Sequence, residues 1–213
     1  MREKVLNFFK KNYWLFLCFC FFSFFLLIAH VVLKEEMLEF DRIIYNYINL
    51  FSSDHVTAFF KIITNLAGGY ILIGICILTF LFVKKKSYFY FMSFNFINTV
   101  VFNQILKLIF ARERPLGIAI INEIGYSFPS GHSMTAMSFY GLLIYLTFRS
   151  SLSKYCKIFI IICLGLLILL IGISRIYLGV HYTSDVIGGF CISISYLILF
   201  TRVIGSCLWE GRK

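Results

Sequence analysis

From Tyr13 to Leu33 the chain carries no charged residue, and a run of about 20 such residues is what a helix needs to cross the hydrocarbon core of a bilayer. No water reaches the backbone there, so a spanning segment must close its own hydrogen bonds as a helix. The pattern recurs. A second span is expected from about Thr57 through Val83, a third over Ser87 to Leu106 and a fourth over about Ser130 to Phe148. A fifth follows over about Ile158 to Leu178 and a sixth over about Tyr182 to Thr201. With 60% apolar and 14% charged residues, the chain lies well below the roughly one quarter charged of soluble domains. The expected fold is all-α: a polytopic membrane protein of six transmembrane helices, one domain over residues 1–213 without linker or internal repeat.

A cleaved signal peptide would have a shorter apolar core, roughly 7 to 15 residues, and a small-residue cleavage site. None follows Ala29, so the first helix is expected to remain. Between the first two spans, Met37, Phe40, Ile44, Tyr47 and Phe51 stand at helical spacing opposite Glu35, Glu39, Arg42, Asn46 and Asn49. This pattern describes an amphipathic helix on the membrane surface or a connecting helix packed on the bundle. Gly68-Gly69 within the second span is read as a close helix-packing point. The seven cysteines sit in or beside apolar runs without ligand spacing. They are expected as small buried hydrophobes and not as a disulfide framework.

Six spans put both termini and the loops at 84–86 and 149–157 on one side. That side holds 13 basic and 2 acidic residues, a net of +11, against −1 on the other. Basic excess marks the cytoplasmic face. The overall charge of +10 is therefore a topology signal, and a nucleic-acid partner is not expected. The chain is expected in the cell (plasma) membrane with both termini cytoplasmic and the amphipathic segment extracytoplasmic. The Lys107 end of the third span, the 111–132 loop and the 175–185 turn then share the outer face.

Ionisable side chains at membrane depth are costly and by default face an internal cavity with a partner. Ser174 to Asp185 holds three of them: Arg175, His181 and Asp185. On a helix, His181 and Asp185 lie on one face, so the carboxylate can take the hydrogen of one imidazole nitrogen and leave the other as nucleophile or base. Lys107, Arg114 and Arg175 together suit phosphate, Arg as a planar fork and Lys as a point charge, and would also offset charge developing in the transition state. Lys107 and Arg114 share a face if the third helix continues toward Pro115. Pro129-Ser130-Gly131-His132 opens the fourth helix, where free amides and the positive dipole end attract an anion that Gly131 lets approach. Arg112 and Glu113 read as a solvated pair, Glu123 as a loop charge, and His30 and His55 as packing residues. Ser133 and Thr135 read as capping or neighbour-facing residues, and Tyr177 and Tyr182 as interfacial aromatics.

These residues resemble the type 2 phosphatidic acid phosphatases (PAP2), a family that shares its site with vanadium haloperoxidases. Lys107 to Pro115 matches the first signature, Pro129 to His132 the second, and Ser174 to Asp185 the third. The motifs cover residues 107–189, and residues 1–106 match in membrane character alone. The resemblance implies that His181 attacks phosphorus and forms a phosphohistidine while Asp185 orients it. His132 would protonate the leaving oxygen and then activate water. Lys107, Arg114, Arg175, Ser130 and the Gly131 amide would hold the phosphate oxygens, and neither metal nor cofactor is expected.

The implied substrate is a lipid phosphate or pyrophosphate whose tails stay in the bilayer: undecaprenyl pyrophosphate, phosphatidylglycerophosphate or phosphatidic acid, with an exoplasmic site favouring the first. Two other readings use the same residues. One is a phosphotransferase in which a lipid or sugar hydroxyl replaces water; the other is a catalytically silent lipid-binding or transport protein. Oligomeric state is left open by the sequence.

Overall fold

Eight helices and no strand are found among the described residues. The computed structural model describes the backbone of residues 2–35 and 37–205 and the side chains of residues 12–35 and 37–205. The side chains of Arg2, Glu3, Lys4, Lys10, Lys11, Glu210, Arg212 and Lys213, which enter the expected topology, lie outside that set, as does Cys207. The elements are α1 (Arg2–Val32), α2 (Glu39–Asn49), α3 (Asp54–Asn65), α4 (Gly69–Phe82), α5 (Ser87–Phe110), α6 (Gly131–Arg149), α7 (Lys154–Tyr177) and α8 (Thr183–Val203).

Among the described residues, three segments are both long and apolar enough to cross a membrane: Asn12–Val32, Lys154–Tyr177 and Thr183–Val203. The pair α3 and α4 would make a fourth, bent by 48° at its break. The second span is thus not one helix. Gly68 takes extended backbone ahead of α4, and a Cβ there would lie 2.9 Å from the Asn65 carbonyl oxygen of its own turn. Around Gly69 the space is open. The glycine pair marks a break and not the helix-packing point the sequence suggested.

Helix α6 packs against α5, α7 and α8, α1 lies along α8, and α3 lies along α7. Its buried face is cut from small residues, Ser133, Ala136, Ser138 and Gly141, beside Phe139 and Leu142. Small side chains let neighbouring backbones approach closely where apolar burial gives helices no preference over lipid. Toward the other surface, Phe16, Phe19, Leu27, Phe82, Phe159 and Phe148 remain exposed, as lipid-facing positions would.

Helix α2 does form within the amphipathic segment, but its protein-facing stripe includes an acid. Asp41 is 1% exposed, whereas Phe40, Ile43, Tyr47 and Leu50 point outward. Helix α5 ends at Phe110, where Ala111 takes a left-handed conformation (φ 44) and closes the last turn. It stops short of Pro115, so Arg114 belongs to the following loop and does not share a helix face with Lys107. The cysteines divide: Cys18, Cys76 and Cys191 are buried, and Cys20, Cys156 and Cys163 are exposed.

Candidate active site

Three polar segments meet where the 111–130 loop lies over the turn between α7 and α8. Gly179 anchors that meeting. It has φ +69, and a Cβ on it would fall 2.2 Å from the Ile118 carbonyl oxygen, so only glycine fits both the left-handed backbone and the passing loop. Two backbone bonds tie the segments together: Ile120 donates to the Leu178 carbonyl at 2.9 Å and Ser130 to the Asp185 carbonyl at 3.1 Å.

His181 does not stand on a helix. It precedes Tyr182, the N-cap of α8, and Asp185 is the third residue of that helix, reaching back so that its Oδ2 accepts from the Tyr182 amide at 2.8 Å. The two side chains still meet, by a cap and not by an i, i+4 face, with His181 Nδ1 3.4 Å from Asp185 Oδ2. Ser127 closes the gap: its Oγ lies 3.2 Å from Nδ1 and donates to Asp185 Oδ2. On the other side of the ring, Arg114 Nη1 is 3.2 Å from His181 Nε2. A guanidinium has donors only, so Nε2 must be the accepting nitrogen and Nδ1 carries the hydrogen. The protein thereby holds the tautomer whose free lone pair is on Nε2.

Burial holds the His181 imidazole down at about 4, and the hydrogen bond and charge of Asp185 offset this only in part. Near pH 7 the pair is therefore a neutral imidazole beside a carboxylate.

Arg112 overturns its expected role. It is not a solvated partner of Glu113, since its side chain is only 4% exposed. Its Nη1 donates to Asp185 Oδ1 at 2.7 Å and to Ser184 Oγ at 2.8 Å, while Nη2 donates to Asp41 Oδ2 at 3.2 Å. Tyr182, expected as an interfacial aromatic, lies with its ring centre 4.0 Å from this guanidinium. Tyr177 is fully buried, with its hydroxyl 2.7 Å from Thr57 Oγ1. Glu123 is also more than a loop charge. Its Oε1 accepts from Arg175 Nη2, and its Oε2 lies 3.9 Å from Arg114 Nη2. Burial raises the Glu123 carboxyl, but the Arg175 guanidinium outweighs this and holds it below its usual range.

Arg175 is 0% exposed, donates from Nη1 to Thr64 Oγ1 at 2.7 Å, and has no acceptor for Nε–H among the described residues. Lys107, on the last turn of α5, feels the charges of Arg114, Glu123, Asp185 and Arg175. His132, in the first turn of α6, feels those of Arg175, Glu123, His181 and Lys107. Ser130 is buried and caps α6, its Oγ accepting from the Ser133 amide at 3.4 Å and the Ser133 hydroxyl at 3.0 Å, which leaves its own O–H as a donor. At Gly131 an added Cβ would stand 3.0 Å from Asn103 Oδ1, so Asn103 bounds the space beside it. Ser174 is buried and donates to the Ile171 carbonyl of its own helix.

All eight residues singled out from the sequence therefore lie in or beside one constellation. Ser127, Arg112 and Asp41 were missed. Their contacts span 58, 73 and 71 residues of chain, and no local spacing announces such partners.

The PAP2 superfamily model matches residues 87–209, more than half of the chain and all eight residues singled out from the sequence. The chain belongs to the PAP2 superfamily. Over 105 residues it is 43% identical to phosphatidylglycerophosphatase B of Bacillus subtilis (strain 168). That match covers 48% of this chain and 50% of the relative, so it spans about half of the curated protein's length. The fold is similar to the crystal structure of the first transmembrane PAP2 type phosphatidylglycerolphosphate phosphatase from Bacillus subtilis, with a TM-score of 0.79 and 31% identity, over 92% of this chain and 97% of that one. It is also similar to LpxE of Aquifex aeolicus, with a TM-score of 0.61 and 26% identity, over 77% and 97% of the two chains.

Proposed function

We propose that this PAP2 protein is a membrane phosphatase that hydrolyses a lipid phosphate or pyrophosphate through a phosphohistidine at His181. The observation that carries the reading is the buried His181, neutral, with Nδ1 turned to Asp185 and Nε2 facing the arginine of the first motif. A histidine held in this tautomer is prepared to attack phosphorus in line with the departing oxygen. The orphan Nε–H of buried Arg175 supports an anionic ligand at the same place, since a buried unmet donor costs free energy until an acceptor arrives.

In this reading a phosphoryl group takes its oxygens to Arg175, Lys107, Arg114, the Ser130 hydroxyl and the Gly131 amide. It displaces the Glu123 carboxylate from Arg175 and the Arg114 Nη1 from His181. Nε2 then forms a bond to phosphorus as the bond from phosphorus to the lipid oxygen breaks, and His132, carried as the imidazolium beside the negative charge of the bound phosphate, gives that oxygen a proton. Asp185 stabilises the positive ring that results. Water next attacks the phosphohistidine, His132 takes its proton, and inorganic phosphate leaves. Charge on the transferring group is met by side chains, in the manner of preorganised donors.

The same reading includes six spans, the α3–α4 pair counting as one, with both termini cytoplasmic and the site extracytoplasmic. The residues from 107 to 132 and from 175 to 185 then share one membrane face, where a headgroup can enter while acyl or isoprenoid tails remain in lipid. The relatives named for phosphatidylglycerophosphate put that lipid beside undecaprenyl pyrophosphate as the first substrates to test. Purified protein should release phosphate from them in EDTA, and His181→Ala should abolish release. Full activity in that variant would overturn the assignment.

A further inference from the structure

Asp185 can orient His181 only if Asp185 is itself held, and a carboxylate turns easily about its last bond. Its two oxygens have different duties here. Oδ2 takes the Tyr182 amide, the Ser127 hydroxyl and the His181 side, while Oδ1 takes Arg112 Nη1 at 2.7 Å. Arg112 in turn is fixed from behind by Asp41 of α2, whose Oδ2 accepts from Nη2 at 3.2 Å. Asp41 also accepts from the Ser184 amide at 2.7 Å and the Ser184 hydroxyl at 2.8 Å, at the very start of α8. Both carboxylate side chains are 0% exposed.

We propose that Arg112 is a positioning residue for the phosphoryl transfer: bridging Asp41 and Asp185, it fixes the carboxylate that orients His181 and makes helix α2 part of the support of the nucleophile. The inference rests on the phosphatase reading above. A planar guanidinium can serve two carboxylates at fixed angles, which the single nitrogen of a lysine cannot. The buried set of two carboxylates and one guanidinium also carries one net negative charge, which the positive ring of the phosphohistidine neutralises. A bystander ion pair would not need to face the dyad in this way. Removing either partner outright leaves a buried charge unmet, so the informative changes are conservative ones.

The test measures phosphate release from phosphatidylglycerophosphate in detergent micelles by the full-length protein and its Arg112→Lys, Asp41→Asn, Asp185→Asn and Arg112→Lys/Asp185→Asn variants. Arg112→Lys should lower kcat by about 10- to 100-fold, as loss of an outer partner of an orienting group does, with KM within about threefold. The double variant should be no slower than Asp185→Asn alone, because residues acting through one another are not additive. Should Arg112→Lys fail to fold, Asp41→Asn, which keeps an acceptor for the Ser184 amide, carries the same expectation of lost kcat at unchanged KM. Full kcat in the folded variants, a loss confined to KM, or strict additivity with Asp185→Asn overturns the proposal. If the unaltered protein releases no phosphate from any lipid phosphate or pyrophosphate, the phosphatase reading falls instead.

Discussion

His181 is a histidine that stays neutral well below the pH at which a solvated imidazole takes up its proton. Burial depresses it to about 4 in the folded protein, whereas in the unfolded chain it titrates near 6.5. Between those values the unfolded state binds a proton that the folded state does not, so stability rises with pH across the window and falls as pH drops from about 6.5 toward 4. Thermal unfolding in detergent over this range should show that slope, and His181→Gln should make it shallower. A slope unchanged in the variant would mean that the depressed histidine lies elsewhere. At the same scale, Glu123 occupies the Arg175 guanidinium that a phosphate would need. Glu123→Gln should weaken that competition and lower the inhibition constant for inorganic phosphate several-fold. A weaker inhibition would show that Glu123 helps to hold the ligand.

Among the elements, the turn between α7 and α8 sets the height of His181 relative to the loop above it. Gly179→Ala must place a methyl group where the Ile118 carbonyl passes, in a left-handed backbone. Strain of that kind costs about 1–3 kcal/mol, enough to lower the melting temperature by several degrees and reduce activity together. Retained stability with retained activity would show that the loop can yield. Gly188 of α8 has a comparable role toward the second motif, since a Cβ there would come within 2.7 Å of the Phe128 ring. Phe128 in turn stacks on Phe25 at 5.6 Å between centroids, so α1 supports the segment leading into Pro129. Helix α2 illustrates how an element's role escapes local pattern. Its apolar outward positions are those of an interfacial helix, but the one acid on its inner stripe ties it to Arg112.

For the whole molecule, the proposed topology puts the 116–128 loop and the 150–153 loop on opposite faces. In a cysteine-free background, Ile124→Cys, at a position 95% exposed, should react with a membrane-impermeant maleimide on intact cells. Ser151→Cys, also at an exposed position, should react only after permeabilisation. The reverse pattern would turn the protein over in the membrane and move the site to the cytoplasmic side.

The amino-acid sequence by itself determined a helical membrane fold and picked out the eight motif residues from which the candidate site is proposed. Apolar runs leave a backbone in lipid no choice but helix, and the motif residues announce themselves as charge and glycine in an apolar setting. What it did not reveal follows from the range of the interactions involved. The break between α3 and α4, the end of α5 at Ala111 and the cap that brings Asp185 back to His181 depend on local backbone geometry that apolar patterning cannot resolve. Arg112 looked like half of a surface pair because Glu113 is next to it. Only the tertiary structure, by folding α2 and α8 around Arg112, turned it inward to two carboxylates far away in sequence. Burial then decided its meaning, because a charge excluded from water must be met by specific partners.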